Sequence, residues 1–162
     1  MILGNEKILE FLKKKGLIEN FKQANIQPAG VDLRIKRIYK LKSKASLGKR
    51  RKMPKVEKIC EKGKFVLKPN EFVLVETMEK VNLPQNLAGI ILPRSSLSRC
   101  GIALLTSFVD PGFKGTLTIG MKNLSEFPFE IEVGTSFAQL IFQEVKGCSK
   151  GYEGRYQGGK VV

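Results

Sequence analysis

Apolar and polar positions alternate in two rhythms along this chain. In residues 5–15 (NEKILEFLKKK), Ile8, Leu9, Phe11 and Leu12 recur at the spacing of one helix face. Asn5 stands where an N-cap is expected and Glu6 falls in the first turn. Lys13, Lys14 and Lys15 complement the C-terminal dipole, and Gly16 supplies a stop. A short helix within residues 1–17 follows from this pattern. Beyond it the period drops to two. Residues 31–41 (VDLRIKRIYKL) alternate, as do 64–68 and 71–76, which the turn pair Pro69–Asn70 separates. Residues 87–92 (LAGIIL) are unbroken apolar, which suits a strand buried on both faces. Further strand-length runs fall at 101–109, 115–122, 127–133 and 136–145, punctuated by Pro111–Gly112, Gly115, Pro128 and Gly134. Many short strands after one helix predict a single all-β domain over residues 1–162, a sandwich or barrel. The glycine-bearing end, 148–162, reads as a flexible tail.

Composition narrows the chemistry. The 162 residues are 42% hydrophobic, enough for one core, and contain no histidine. Without imidazole there is no Ser-His-Asp triad, Cys-His dyad or HExxH zinc site. Cys60, Cys100 and Cys148 lie 40 and 48 positions apart with no CxxC, the pattern of free thiols in an intracellular protein. The opening MILGNEKILE is too charged for a signal peptide, and no 18-residue apolar run exists. A cytoplasmic location is expected, with no membrane partner.

The net charge of +14 is local: residues 34–68 hold 15 Lys/Arg against two acids, Glu57 and Glu61. The peak, Lys49–Arg50–Arg51–Lys52, could attract phosphates or nucleic acid. It also reads as a solvated loop or a lysine-protected strand edge. Only Tyr39 and Phe65 interleave as aromatics, so nucleic acid is not the expected partner.

Three places could carry chemistry. Asp32 follows a Pro-Ala-Gly turn at the mouth of a strand, and Asp110 ends an apolar run before Pro-Gly. Either carboxylate could hold a water or a metal-bound water, or merely cap its turn. Residues 93–101 (PRSSLSRCG) set Arg94, Arg99, Ser95, Ser96 and Ser98 directly after the most apolar strand. Guanidinium forks and hydroxyls are what a polyphosphate requires, although a serine-capped turn or short helix reads the same way. There is no Walker motif and no strand-linked GxGxxG.

The order AGVDL (29–33), PRSSLSR (93–99), VDPGFKG (109–115), GTSFAQL (134–140) and glycine-rich tail resembles the dUTPase/dCTP deaminase superfamily over nearly the whole chain. The opening MILGNEKILEFL with QPAGVDLRI is similar to dCTP deaminases and their archaeal dUTPase relatives. The resemblance implies a distorted β-barrel or jelly-roll-like fold. It also implies a homotrimer with active sites between subunits, and an Mg²⁺-bound nucleoside triphosphate as ligand. By position, Asp32 would support the metal-water shell, while Arg94, Ser95, Ser96 and Arg99 would contact the triphosphate. Asp110 would orient the attacking water, Phe113 would stack on the deoxyribose, and Gln139 would bind phosphate or that water. Arg155, Tyr156 and Gln157 would fold over the nucleotide. Phe113 stands where many dUTPases have tyrosine, and the tail looks like the YxGxYQG ending of the deaminase branch.

Two reactions share that scaffold. Zinc-free deaminases of this superfamily carry a glutamate in the strand after the third motif, in a run like TLEFxN. Here the strand reads TLTIGMKN (116–123), with Gly120 in the glutamate's place. Glycine cannot move a proton, so the expectation is a dUTPase, closest to the archaeal type, with a dCTP deaminase or bifunctional enzyme as the alternative. A non-enzymatic polyanion- or nucleic-acid-binding β-barrel is the reading from another class.

Overall fold

The computed structural model describes residues 1–147 and 150–162. Cys148 and Ser149, the start of the expected tail, lie outside the described residues. The helix α1 covers Asn5–Lys15 and ends at Gly16 in the left-handed conformation. Gly4, not Asn5, is its N-cap: Asn5 is already helical, and its Oδ1 accepts from the Glu6 N–H at 2.9 Å. Ile8 and Leu12 are buried, with Leu9 and Phe11 packed beside them, so the apolar face docks as its spacing requires.

Twelve strands follow: Ile18–Glu19 (β1), Ile26–Gln27 (β2), Gly30–Leu41 (β3), Val56–Cys60 (β4), Lys64–Leu67 (β5) and Phe72–Asn82 (β6). Then come Leu87–Pro93 (β7), Ile102–Leu105 (β8), Phe108–Val109 (β9), Lys114–Asn123 (β10), Phe129–Glu132 (β11) and Ser136–Glu144 (β12). A five-residue helix α2, Ser95–Arg99, separates β7 from β8. Strands β8, β10, β6, β3, β12, β7 and β9 lie side by side in that order. Strand β1 adds to β6, β2 and β4 add to β3, and β5 pairs with β11 separately. The sheet curls into a half-barrel, and the all-β, barrel-like expectation holds.

Strand β3 makes the curl possible. Its first half pairs with β12, Asp32 opposite Gln139, and its second half pairs with β6, Ile38 opposite Val75. Register shifts at Ile35/Arg37 and Ser136/Ala138 turn the chain between the two halves. Ile38, Val75, Ile119, Phe137, Leu140 and Phe142 fill the concave side.

The apolar alternation underestimates β6, which continues from 76 to Asn82 because its inward positions become polar. Glu79 is fully buried, and its carboxylate takes the Arg34 N–H and Nε, each at 2.7 Å. Thr77 Oγ1 donates to the Glu79 carbonyl and accepts from the Leu117 N–H. The run 101–109 is two strands, not one: β8 pairs with β10 and β9 with β7, and Thr106–Ser107 carries the chain between them. In β7 the two-sided burial holds for Leu87 to Gly89, while Leu92 is half-exposed.

The basic segment divides in two. On the strands its cations are paired, Arg37 with Glu61 and Glu76, Lys40 with Glu71, Lys64 with Glu130. Within the loop joining β3 to β4, closed by the Ser46–Lys52 bridge, Lys44, Lys49, Arg50, Arg51, Lys52 and Lys55 have no ion-pair partner among the described residues.

Candidate active site

The expected site residues form two groups. The first gathers where β3, β7 and β12 meet. Asp32 is buried on β3, its Oδ2 lying 3.5 Å from Arg94 Nε and 3.3 Å from Gln27 Nε2, which donates to it. Burial pushes the Asp32 carboxyl above its ordinary range, against the opposing pull of Arg94 and the Gln27 hydrogen bond. Gln139 stands opposite Asp32 in the ladder, and its other neighbour is Leu92. Arg94 caps α2 and anchors to β12 through its N–H to the Phe137 carbonyl. Leu97 is buried and pins α2, which leaves Ser95, Ser96 and Arg99 exposed on the same side of that short turn of helix.

The second group surrounds the turn before β10. Asp110 is exposed, and its carbonyl accepts from the Phe113 N–H, closing the Pro-Gly turn. Phe113 is buried edge-on against Tyr152, with ring centres 5.6 Å apart. The tail expected at 150–162 lies along this turn. Gln157 accepts from the Lys114 N–H at 2.8 Å and donates to the Gly112 and Tyr152 carbonyls at 3.0 Å. The backbone comes closer still: a Cβ on Gly115, at φ +147°, would fall 2.3 Å from Gly159 N. Any side chain there would lift the tail away, which is a physical reason for glycine in FKG. Tyr156 is half-exposed, and Arg155 is exposed at the tail's outer side.

A cavity of about 420 Å³ opens beside this second group, against β6 and β10. Asp110, Phe113, Thr118, Gly120, Tyr152 and Tyr156 line it, together with Phe72, Leu74, Leu105 and the last three residues of the chain. None of Asp32, Arg94, Ser95, Ser96, Arg99 and Gln139 reaches it. One chain therefore holds a cluster of Asp32, Arg94, Gln139 and the α2 hydroxyls and a separate pocket with a carboxylate, but does not join them. At Gly120 a Cβ would lie 2.9 Å from Phe72 Cε2 and 3.1 Å from Leu105 Cβ, so neighbouring side chains have closed over the place of a larger residue.

Sequence reasoning missed Gln27, Tyr152 and Thr118. Gln27 precedes Asp32 by five positions across a hairpin, a relation that only β2–β3 pairing reveals. Tyr152 belongs to the YEGRYQG run, and its spacing to Gln157 was the available signal.

A family model described as dCTP deaminase-like matches residues 2–145. The chain belongs to this family. It is 38% identical over 148 residues to a protein named dCTP deaminase from Pyrococcus furiosus, covering 91% of this chain and 88% of that one. A protein from Methanopyrus kandleri named probable deoxyuridine 5'-triphosphate nucleotidohydrolase is 31% identical over 159 residues, 96% of this chain and 99% of that one. The crystal structure of 2'-deoxycytidine 5'-triphosphate deaminase from Agrobacterium tumefaciens superimposes with a TM-score of 0.70 at 20% identity, over 87% of this chain and 47% of that one. That likeness concerns the fold. Members of the dCTP deaminase-like family are thus named for two reactions, and the family makes this chain a relative of enzymes of both kinds.

No helix among the described residues is long and apolar enough to cross a membrane.

Proposed function

We propose that this protein hydrolyses dUTP to dUMP and pyrophosphate with Mg²⁺, in the cytoplasm, as a homotrimer whose active sites lie between subunits. The observation that carries the choice of reaction is Gly120, with Phe72 and Leu105 packed against the space its side chain would need. Deamination requires a group that passes protons to the base, and none stands there. Glu76, opposite Thr118 in the ladder, is held by Tyr39 at 2.8 Å and by Lys36 and Arg37 at 3.4 Å each. Hydrolysis needs only a positioned water and cationic relief at the phosphates.

In this reading Phe113 packs on the deoxyribose and Asp110 holds the attacking water. Water adds across the α–β phosphoanhydride, its proton passes to the Asp110 carboxylate, and pyrophosphate leaves. Arg94, Ser95, Ser96 and Arg99, supplied by a neighbouring subunit, bind the triphosphate, with Gln139 donating to phosphate or to the water. That the two groups do not meet within one chain supports a shared site. Tyr156, Gln157 and Arg155 close over the nucleotide. Among the described residues no cluster of three or more acids or cysteines could cage a metal alone. A single buried carboxylate suits Mg²⁺ held mainly by phosphate oxygens and water, with Asp32 as the protein's contribution through water. The ion would offset the charge that develops on the phosphates.

Deamination of dCTP is the second reading, favoured by the naming of relatives such as the Pyrococcus furiosus protein. The Asp110→Asn variant tests the catalytic assignment. Turnover of dUTP should fall about a thousandfold while nucleotide affinity stays within about threefold, by steady-state kinetics and calorimetry. Wild-type turnover in that variant would remove Asp110 as the base.

A further inference from the structure

We propose that the Thr118 hydroxyl binds the polar edge of the pyrimidine, making Thr118 the base-reading side chain of the cavity beside Asp110. The inference rests on the nucleotide reading above and deepens it. It starts from β10: Ile119 and Met121 are buried in the core, whereas Thr116, Leu117, Thr118 and Gly120 line the cavity. Thr118 Oγ1 is buried and has no hydrogen-bond partner among the described residues. It is the sole side-chain atom in that condition among them.

The surrounding strands offer it nothing. Glu76, directly opposite in the ladder, commits one oxygen to Lys36 and the other to Arg37 and Tyr39. Folded proteins seldom leave a buried hydroxyl unpaired, and because Thr118 lines the cavity, a rotation about its χ1 would turn this hydroxyl towards a ligand there. The walls name the kind of ligand. Phe72, Leu74, Leu105 and Phe113 are apolar, and the only lining cation, Lys160, belongs to the tail. Phosphate therefore finds no fixed positive floor next to Thr118. A flat neutral heterocycle does fit. A hydroxyl donates to a ring carbonyl oxygen and accepts from a ring N–H, both of which a pyrimidine-dione presents. The cavity, about 420 Å³, has room for a pyrimidine and its sugar.

The test uses full-length protein with Mg²⁺ and calorimetric titration of dUMP, dCMP and 2-deoxyribose 5-phosphate, which lacks the base. Thr118→Val removes the hydroxyl and keeps the shape, and Thr118→Ser keeps the hydroxyl. The Val variant should bind dUMP about tenfold more weakly, leave deoxyribose phosphate unchanged, and keep or raise Tm, because an unpaired buried hydroxyl has gone. The Ser variant should stay within about twofold of wild type. Equal dUMP affinity in the Val variant, equal losses for both ligands, or a lowered Tm accompanying the loss would overturn the role of Thr118. A wild type that prefers dCMP, with that preference weakened in the Val variant, would support Thr118 while contradicting the hydrolase reading. A wild type that binds none of the three would overturn both.

Discussion

At Asp32 two forces oppose each other, and the balance makes a prediction. Burial raises the carboxyl's pKa, while Arg94 at 3.5 Å and the Gln27 hydrogen bond lower it, and burial is the larger effect. The folded state thus holds the Asp32 proton more tightly than the unfolded chain does. The stability this gives is present at low pH and is lost as pH rises through the folded-state value. Asp32→Asn should raise Tm at pH 8 by about 2 °C while lowering dUTP turnover, and the gain should vanish below about pH 4, where the carboxyl is protonated in both states. Thermal scans across pH check this, and a lower Tm at pH 8 would show that the Arg94 pair dominates. Part of the candidate site's geometry was legible at this scale. Asp32, Arg94, Asp110 and Gln139 stand in short motifs whose order resembles a family, and Arg94 and Gln139 do gather around Asp32. Gln27 and Thr118 were not legible. One acts across a hairpin, and the other matters only because nothing pairs with it.

Among elements, the tail shows most plainly how sequence and packing differ. Glycines at 151, 154, 158 and 159 read as flexibility, yet here Gly151 and Gly159 let the backbone lie against the PGFKG turn and Thr116. Gln157 holds the segment by three hydrogen bonds to that turn and to Tyr152. Gln157→Ala should therefore release it: trypsin would cut at Arg155 several times faster, and KM for dUTP would rise about tenfold with kcat less affected. Proteolysis and KM unchanged from wild type would mean that the tail is held by other contacts. The same contrast explains the strands. Alternation located α1, β3, β10 and β12 well, because each buries a regular apolar stripe. It stopped β6 short, since the buried Thr77 and Glu79 satisfy themselves through hydrogen bonds and an ion pair rather than through apolar packing. It also fused β8 with β9, whose partners lie on different parts of the curled sheet.

Across the whole molecule, the curled sheet holds the polar cluster around Asp32 and an apolar pocket that one chain leaves apart. Leu92, Leu105 and Phe108 expose apolar surface, which suits burial against further copies of the chain. The basic loop of 44–55 holds six cations and no acid, so it supplies six of the net +14, and most of the remainder sits on the strands and turns of the same 34–68 segment. The proposed choice of reaction turns on Gly120, and chromatography of reaction products reads this directly. Purified protein with Mg²⁺ would be given dUTP and dCTP in separate reactions, and the bases, nucleotides and pyrophosphate resolved. The proposed activity predicts dUMP and pyrophosphate from dUTP, with dCTP returned intact. Uracil nucleotides formed from dCTP would contradict it and would mean that a group other than residue 120 moves the proton.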